Sequence, residues 1–299
     1  MTIDAESSPD EGAPRLRWRV VPLVLAECRP VVLAMFALRF VAGVALAAPS
    51  GWAALPAVRW LDVGVGVLAW VSVTGFVYLL NGISDIAGDR LNGSSRPLAG
   101  GRLSPRIAVG WCVAFAVIGM ALSALVGLGL LACAATMIGL GWLYSGGRYA
   151  AKQRVWSASL VIAGGGFVTY IGGVYSTGGV PSAEAAAIAT LMAAWMAVAG
   201  NTKDLGDIAG DRAAGRRTLP VILGTRPAAW ATAAACCAVG LAGLTIASLL
   251  ARGVAACLLL AGLVMVGIVI HGRNLGSKRM YAVFMVSQLV TNLMIVVVA

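Results

Sequence analysis

Residues 85–90 read Asp85-Ile86-Ala87-Gly88-Asp89-Arg90, residues 207–212 read Asp207-Ile208-Ala209-Gly210-Asp211-Arg212, and each copy meets a glycine three positions on, Gly93 and Gly215. Long apolar runs lie before, between and after these stretches. Four predicted spans separate the copies, so both emerge on one side of a bilayer with the same chain direction. A parallel internal duplication has this pattern, with a ligand site expected between its halves.

The surrounding composition agrees. Of 299 residues, 60% are hydrophobic and 11% charged, and the mean hydropathy is +0.90. That is more apolar surface than a soluble core can hide. Crossing the hydrocarbon core takes about 20 apolar residues in a helix, which predicts nine spans near 21–48, 61–82, 106–124, 127–145, 155–177, 183–203, 227–249, 252–271 and 280–299. The expected fold is all-α: a polytopic bundle around a central cavity, with residues 1–20 a disordered cytoplasmic tail and 21–299 one transmembrane domain of two pseudo-repeats, their motifs at 81–89 and 203–211.

The net charge of +10 does not call for nucleic acid, because the basic residues alternate by side. One side holds Arg15, Arg17 and Arg19, Arg90 to Arg106, Arg148 to Arg154, Lys203 to Arg226 and Arg273 to Arg279, against Arg59 and Arg252 on the other. The positive-inside rule then puts the N-terminus and the charged loops in the cytoplasm, and an odd span count puts the C-terminus outside. The expected location is the cytoplasmic membrane of a bacterium. The charged opening stretch has no apolar run of signal-peptide type. Six cysteines inside predicted spans lack metal-site spacing and read as packing.

In the first copy Asn81, Asp85 and Asp89 stand four residues apart, a spacing that stacks three oxygen-bearing groups along one helix face at about 6 Å per step. In the second, Lys203 takes the place of the asparagine, Asp204 is added, and Asp207 and Asp211 repeat the spacing. Carboxylates crowded without His or Cys call for a hard cation, and Mg²⁺ takes one or two of them, filling its shell with water and phosphate oxygen. Arg90, Arg96, Arg102, Arg148, Lys203 and Arg212 offer donors to such a polyanion. Metal, acids and arginines together suit the departure of a diphosphate from an allylic carbon, with the cation left in a dry apolar pocket.

Asn81-x-x-x-Asp85-x-x-x-Asp89 resembles the first signature of the UbiA superfamily of intramembrane prenyltransferases. Lys203-Asp204-x-x-Asp207-x-x-x-Asp211, with Gly215 and Thr218-Leu219-Pro220 behind it, is similar to the second. Arg29-Pro30, Arg96-Pro97-Leu98 and Tyr144-x-x-x-Arg148 fall where that family carries comparable residues, so the likeness runs over roughly 20–299. It implies nine helices around a cavity capped by cytoplasmic loops, with a prenyl group moved from its diphosphate to an aromatic or other lipophilic acceptor. It also implies Mg²⁺ ligands at Asn81, Asp85, Asp89, Asp207 and Asp211, the four aspartates being catalytic. It implies phosphate contacts at Arg148 and Lys203, and with the basic residues around the acids the expected diphosphate-binding set is Asn81, Arg90, Arg96, Tyr144, Arg148, Lys203, Asp204 and Arg212. Gly82 departs from the pattern, standing where many members have Asp, and Arg148 stands where Lys is usual.

Two other readings fit parts of the pattern. A terpene cyclase on the same scaffold would capture the cation within its own chain, and a carrier would use the acids for ion passage. Arg39, about 15 Å into the first span, is expected to face the cavity, and His271 to be interfacial. Phe76, Tyr78, Trp142, Phe167, Tyr170, Tyr175 and Trp195 are the aromatic candidates for a prenyl pocket.

Overall fold

The computed structural model describes residues 13–47, 57–147, 149–272, 274–276 and 278–298. The described residues form helices joined by short turns: α1 Ala13–Glu27, α2 Pro30–Leu46, α3 Ala57–Leu91, α4 Pro105–Val126, α5 Leu128–Ser145, α6 Val155–Ser176, α7 Ala183–Ala199, α8 Ile208–Ala213, α9 Leu219–Leu223, α10 Thr225–Gly243, α11 Leu249–His271 and α12 Arg279–Val298. Seven helices are long and apolar enough to cross a membrane, eight when the bent pair α1/α2 counts as one span. The chain is an integral membrane protein.

The first expected span, 21–48, is broken. Its two pieces, Val20–Glu27 and Pro30–Leu46, meet at 66°. Pro30 lacks an N–H and crowds the residue before it out of the right-handed helical region, and Arg29 adopts φ 57° and ψ 75°. Of the expected tail, residues 13–20 belong to α1 and residues 1–12 lie outside the described residues. The expected span 227–249 corresponds to α10, whose alanine-rich sequence is not among the seven apolar enough to be counted.

The helices close into a ring. α3 lies along α4, α6 along α7 and α10 along α11, and α12 returns to α2 while α2 also packs on α6. Large side chains fill the centre: Phe40, Trp70, Tyr170 and Trp195 have no exposed surface. Small residues allow the tightest crossing. A Cβ on Gly43 would sit 2.1 Å from the Tyr170 carbonyl, and one on Gly173 2.1 Å from that of Phe40, so α2 and α6 touch backbone to backbone. The six cysteines are free.

At 35 residues, or about 52 Å, α3 is far longer than a crossing requires. Its surplus turns carry Asn81, Asp85 and Asp89 beyond the apolar stretch. The second copy of the motif is built differently. After α7 the chain tightens into a 3-10 helix, Gly200–Gly206, bounded by two glycines that lower helix propensity, and Asp207 stands just before the short α8 without a side-chain capping bond.

Candidate functional site: two acidic motifs over an apolar chamber

Both repeats end in the same hydrogen-bonded turn. Gly93 N–H donates to Arg90 O at 3.1 Å and Ser94 N–H to Asp89 O at 2.9 Å; Gly215 N–H donates to Arg212 O at 3.1 Å and Arg216 N–H to Asp211 O at 2.8 Å. Gly93 and Gly215 have φ 65° and 68°, the left-handed conformation that such a helix stop requires and glycine adopts without strain. This is the structural reason for the glycine three residues past each motif.

The two motifs meet across one cavity of about 500 Å³ lined by Asn81, Asp85, Asp89, Arg96, Tyr144, Lys203, Asp204, Asp207 and Asp211. Arg29, Asn92, Lys152, Arg216 and Lys278 add further polar groups to its wall. Arg90 and Arg212 stand outside it and are exposed. Each follows a motif aspartate by one residue, a turn of about 100° away from the acidic face. Arg90 instead donates to Ala99 O at 3.0 Å, bracing the loop. Arg148 lies outside the described residues, and Arg102 bonds the Ser95 carbonyl without lining the cavity.

Lys152 and Arg216, which the sequence presented only as topological charges, prove central. Both bond Asp85 Oδ1, Lys152 Nζ at 2.7 Å. Arg216 also reaches Asp211 Oδ1 at 3.2 Å, joining the first motif to the second. A backbone link sets this up: Arg217 N–H donates to Gln153 O at 2.8 Å and Val155 N–H to Arg217 O at 3.2 Å, so the loops bearing Lys152 and Arg216 are tied together. Asn92 adds a second tie, its Oδ1 accepting from Gly210 N–H at 2.9 Å. Lys203 donates to the Tyr144 hydroxyl at 2.9 Å, and Asn81 Oδ1 accepts from Ser145 at 3.2 Å.

Burial and crowding set the protonation balance. Burial, then the neighbouring Asp211, pushes the Asp207 carboxyl above the ordinary carboxylate range. Burial draws Lys152 below its usual value against the pull of Asp85. For Arg216 burial acts downward, but Asp85 and Asp211 outweigh it and raise the group.

The donor set suits a hard divalent cation. Oxygen donors from five aspartates share the cavity wall, and neither sulfur nor imidazole lines it. Asp211 Oδ2 is buried without a hydrogen-bond partner. Among the described residues no three acidic, His or Cys groups stand close enough to hold an ion alone. A cation here would complete its shell with water and ligand oxygen, the habit of Mg²⁺.

Beneath the polar cavity lies an apolar chamber of about 160 Å³, lined among others by Val32, Met35, Phe36, Val77, Met137 and Met196. The two spaces share Arg29, Asn81, Tyr144, Ile162, Lys203 and Tyr281 as walls. Of the seven aromatic candidates, Tyr78 lines this chamber; Tyr170 and Trp195 are buried in the core and Trp142 is 61% exposed. Arg39 lines the chamber, donates to Gln288 Oε1 at 2.9 Å and lies 4.6 Å over the Phe36 ring. His271 is exposed at the end of α11.

Comparison with known proteins accords with this architecture. A digeranylgeranylglyceryl phosphate synthase of Halobacterium salinarum is 33% identical over 189 residues, 62% of this chain and 61% of that protein. A protein of the same name from Methanothrix thermoacetophila is 31% identical over 158 residues, 52% of this chain and 56% of that one. The chain thus matches about 61% of the length of the first of these curated relatives. Among solved structures, a UbiA homolog from Archaeoglobus fulgidus bound to GPP and Mg²⁺ superposes with a TM-score of 0.69 over 93% of this chain and 100% of that one, at 19% identity. An apo UbiA homolog from Aeropyrum pernix K1 gives 0.59 over 88% and 96%, at 22% identity. The UbiA prenyltransferase family model matches residues 23–288, nearly the whole bundle together with both acidic motifs, and this chain therefore belongs to the UbiA prenyltransferase family.

Proposed function

We propose that the protein transfers a prenyl group from an isoprenoid diphosphate to an aromatic or other lipophilic acceptor in an Mg²⁺-dependent reaction. One observation carries the reading: two acidic motifs line one polar cavity, and an apolar chamber adjoins it with six wall residues in common. That geometry fits an amphiphile with a polyanionic head and a hydrocarbon tail.

Asp85, Asp89, Asp207 and Asp211, with Asn81, are the proposed metal ligands. Bound Mg²⁺ would neutralise the negative charge that grows on the leaving diphosphate. Lys203, Arg216 and Lys152 would donate to phosphate oxygens, the last two giving up Asp85 as they do so. Tyr144 holds Lys203 at the mouth, and Asp204 would offset that cation. The C–O bond breaks with its electron pair leaving on the diphosphate, and the chamber keeps water from the allylic cation. The rings of Phe36 and Tyr78 would stabilise that positive charge. Attack by an acceptor carbon or hydroxyl, with loss of its proton, completes the transfer.

The acceptor class includes glyceryl phosphate lipids, because the archaeal relatives are named for a digeranylgeranylglyceryl phosphate product. The proposed topology has nine crossings, α10 included, with the N-terminus and the motif loops in the cytoplasm and the C-terminus outside.

The test is turnover in detergent: purified protein, Mg²⁺ and a panel of prenyl diphosphates, with and without acceptors, followed by diphosphate release and mass spectrometry of the lipid. Acceptor-dependent release with a prenylated product is expected. Release without acceptor, giving a cyclic hydrocarbon or alcohol, would replace transfer by cyclisation. No release under any pairing would overturn both.

A further inference from the structure

Glu27 ends α1 and has no exposed surface. A buried carboxylate is tolerated when it is paired, and Glu27 is paired with unusual care. Its Oε1 lies 2.6 Å from Arg96 Nη2, its Oε2 accepts from Leu98 N–H at 2.9 Å, and its main-chain carbonyl accepts from Arg96 Nη2 at 3.2 Å. The same guanidinium holds Asp89 Oδ2 at 2.6 Å through Nη1. Glu27, Arg96 and Asp89 therefore form one chain that joins α1 to the first acidic motif. Gly82 makes the space for it: a Cβ at that position would stand 2.3 Å from Glu27 Oε1 and 2.7 Å from Arg96 Nη2.

We infer that Glu27 is a positioning residue for the diphosphate site, supplying from α1 a carboxylate beside α3 where position 82 has no side chain. The electrostatic reason is direct. Alone, Arg96 would cancel the charge of Asp89 and compete with a divalent cation for it. With its own charge matched by Glu27, Arg96 orients Asp89 while leaving the site its negative potential. The inference rests on the proposed diphosphate and Mg²⁺ site.

The test measures binding, on the full-length protein in detergent. Mg²⁺ titration of the complex with a non-reactive prenyl thiolodiphosphate, read by calorimetry, gives the half-saturating Mg²⁺ concentration. Glu27→Gln keeps the shape and removes the charge; it is expected to raise that concentration about 10-fold or more, the scale for loss of a group that orients a metal ligand. Gly82→Ala, which leaves both charges in place but forces Glu27 and Arg96 apart, is expected to act in the same direction. A double variant, Glu27→Ala with Gly82→Asp, returns a carboxylate from α3 itself and is expected to recover wild-type affinity to within about 3-fold; a purely structural role for Glu27 would not be rescued in this way. Wild-type Mg²⁺ affinity in both Glu27→Gln and Gly82→Ala overturns the inference, and so does a double variant as weak as Glu27→Gln. If the wild-type protein itself fails to bind the thiolodiphosphate with Mg²⁺, it is the functional reading that falls.

Discussion

Arg216 binds Asp85 of the first acidic motif while holding Asp211 of the second at 3.2 Å. One guanidinium thus occupies the ground between two carboxylates that would otherwise repel. Arg216→Met is expected to destabilise the ligand-free protein by about 1–3 kcal/mol, because both acids remain while a shared partner is lost. Mg²⁺ should restore part of that loss by taking the same position. Thermal unfolding in detergent with and without Mg²⁺ checks it: equal destabilisation in both conditions would mean that Arg216 and the metal do not share a role.

Asp85 and Asp207 belong to different acidic motifs and line the same cavity. Asp85→Asn and Asp207→Asn should each cut diphosphate release by about 100-fold or more, the scale for losing one charge-stabilising group at a transition state. Steady-state release from a prenyl diphosphate is the measurement. Retained turnover in both variants would exclude the paired motifs from the chemistry.

The raised Asp207 carboxyl gives a signed pH dependence. A folded-state value above the unfolded one means that the native chain holds this proton more tightly, so its contribution to stability is present in acid and is lost as pH rises through the folded value. Metal binding runs the opposite way, because Mg²⁺ must expel the proton. Affinity for Mg²⁺ should therefore rise with pH above the ordinary carboxylate value of about 4 and level off once Asp207 is ionised. Calorimetry in buffers of different ionisation enthalpy should record proton release on binding, and Asp207→Asn should reduce it.

Gly165 lines the apolar chamber, and a Cβ there would meet Met137 Sδ at 3.4 Å. A larger side chain at this point shortens the space available to a hydrocarbon tail. Gly165→Leu is expected to lower kcat/KM for a long prenyl diphosphate about 10-fold more than for a short one, within the discrimination a hydrophobic pocket achieves for small differences in size. Uniform loss across chain lengths would mean that the tail lies elsewhere.

The sequence carried much of this arrangement, and its omissions have a common cause. The duplicated acids, their helical spacing and the glycines behind them are local signals, and they led to the cavity. Lys152 and Arg216 are not local to Asp85, which lies 67 and 131 residues away. Their charges also satisfied the topology rule, so nothing in the sequence separated them from surface cations. Glu27 was hidden differently, since a lone acid before Arg29-Pro30 gives no sign that it meets Arg96 from another helix. Arg90 and Arg212 are the opposite case, standing outside the cavity wall. Adjacency to a motif aspartate suggested the site, yet one helical step turns a side chain to another face. The break at Arg29 had a visible cause in Pro30, although the apolar runs on either side, interrupted by Glu27 and Arg29, were read as one span. Hydropathy likewise counted α10 as a span without registering how many of its apolar residues are alanines.

The twin glycine turns behind the motifs act as stops that fix length rather than identity. With Ser94 tied to Asp89 and Arg216 tied to Asp211 across matching backbone rings, replacing a residue between acid and glycine leaves the path of the chain intact, while inserting or deleting one swings everything beyond it. The segment after each glycine is therefore where grafting can alter what the site grips, and the three residues between acid and glycine form a ruler whose length the turn fixes.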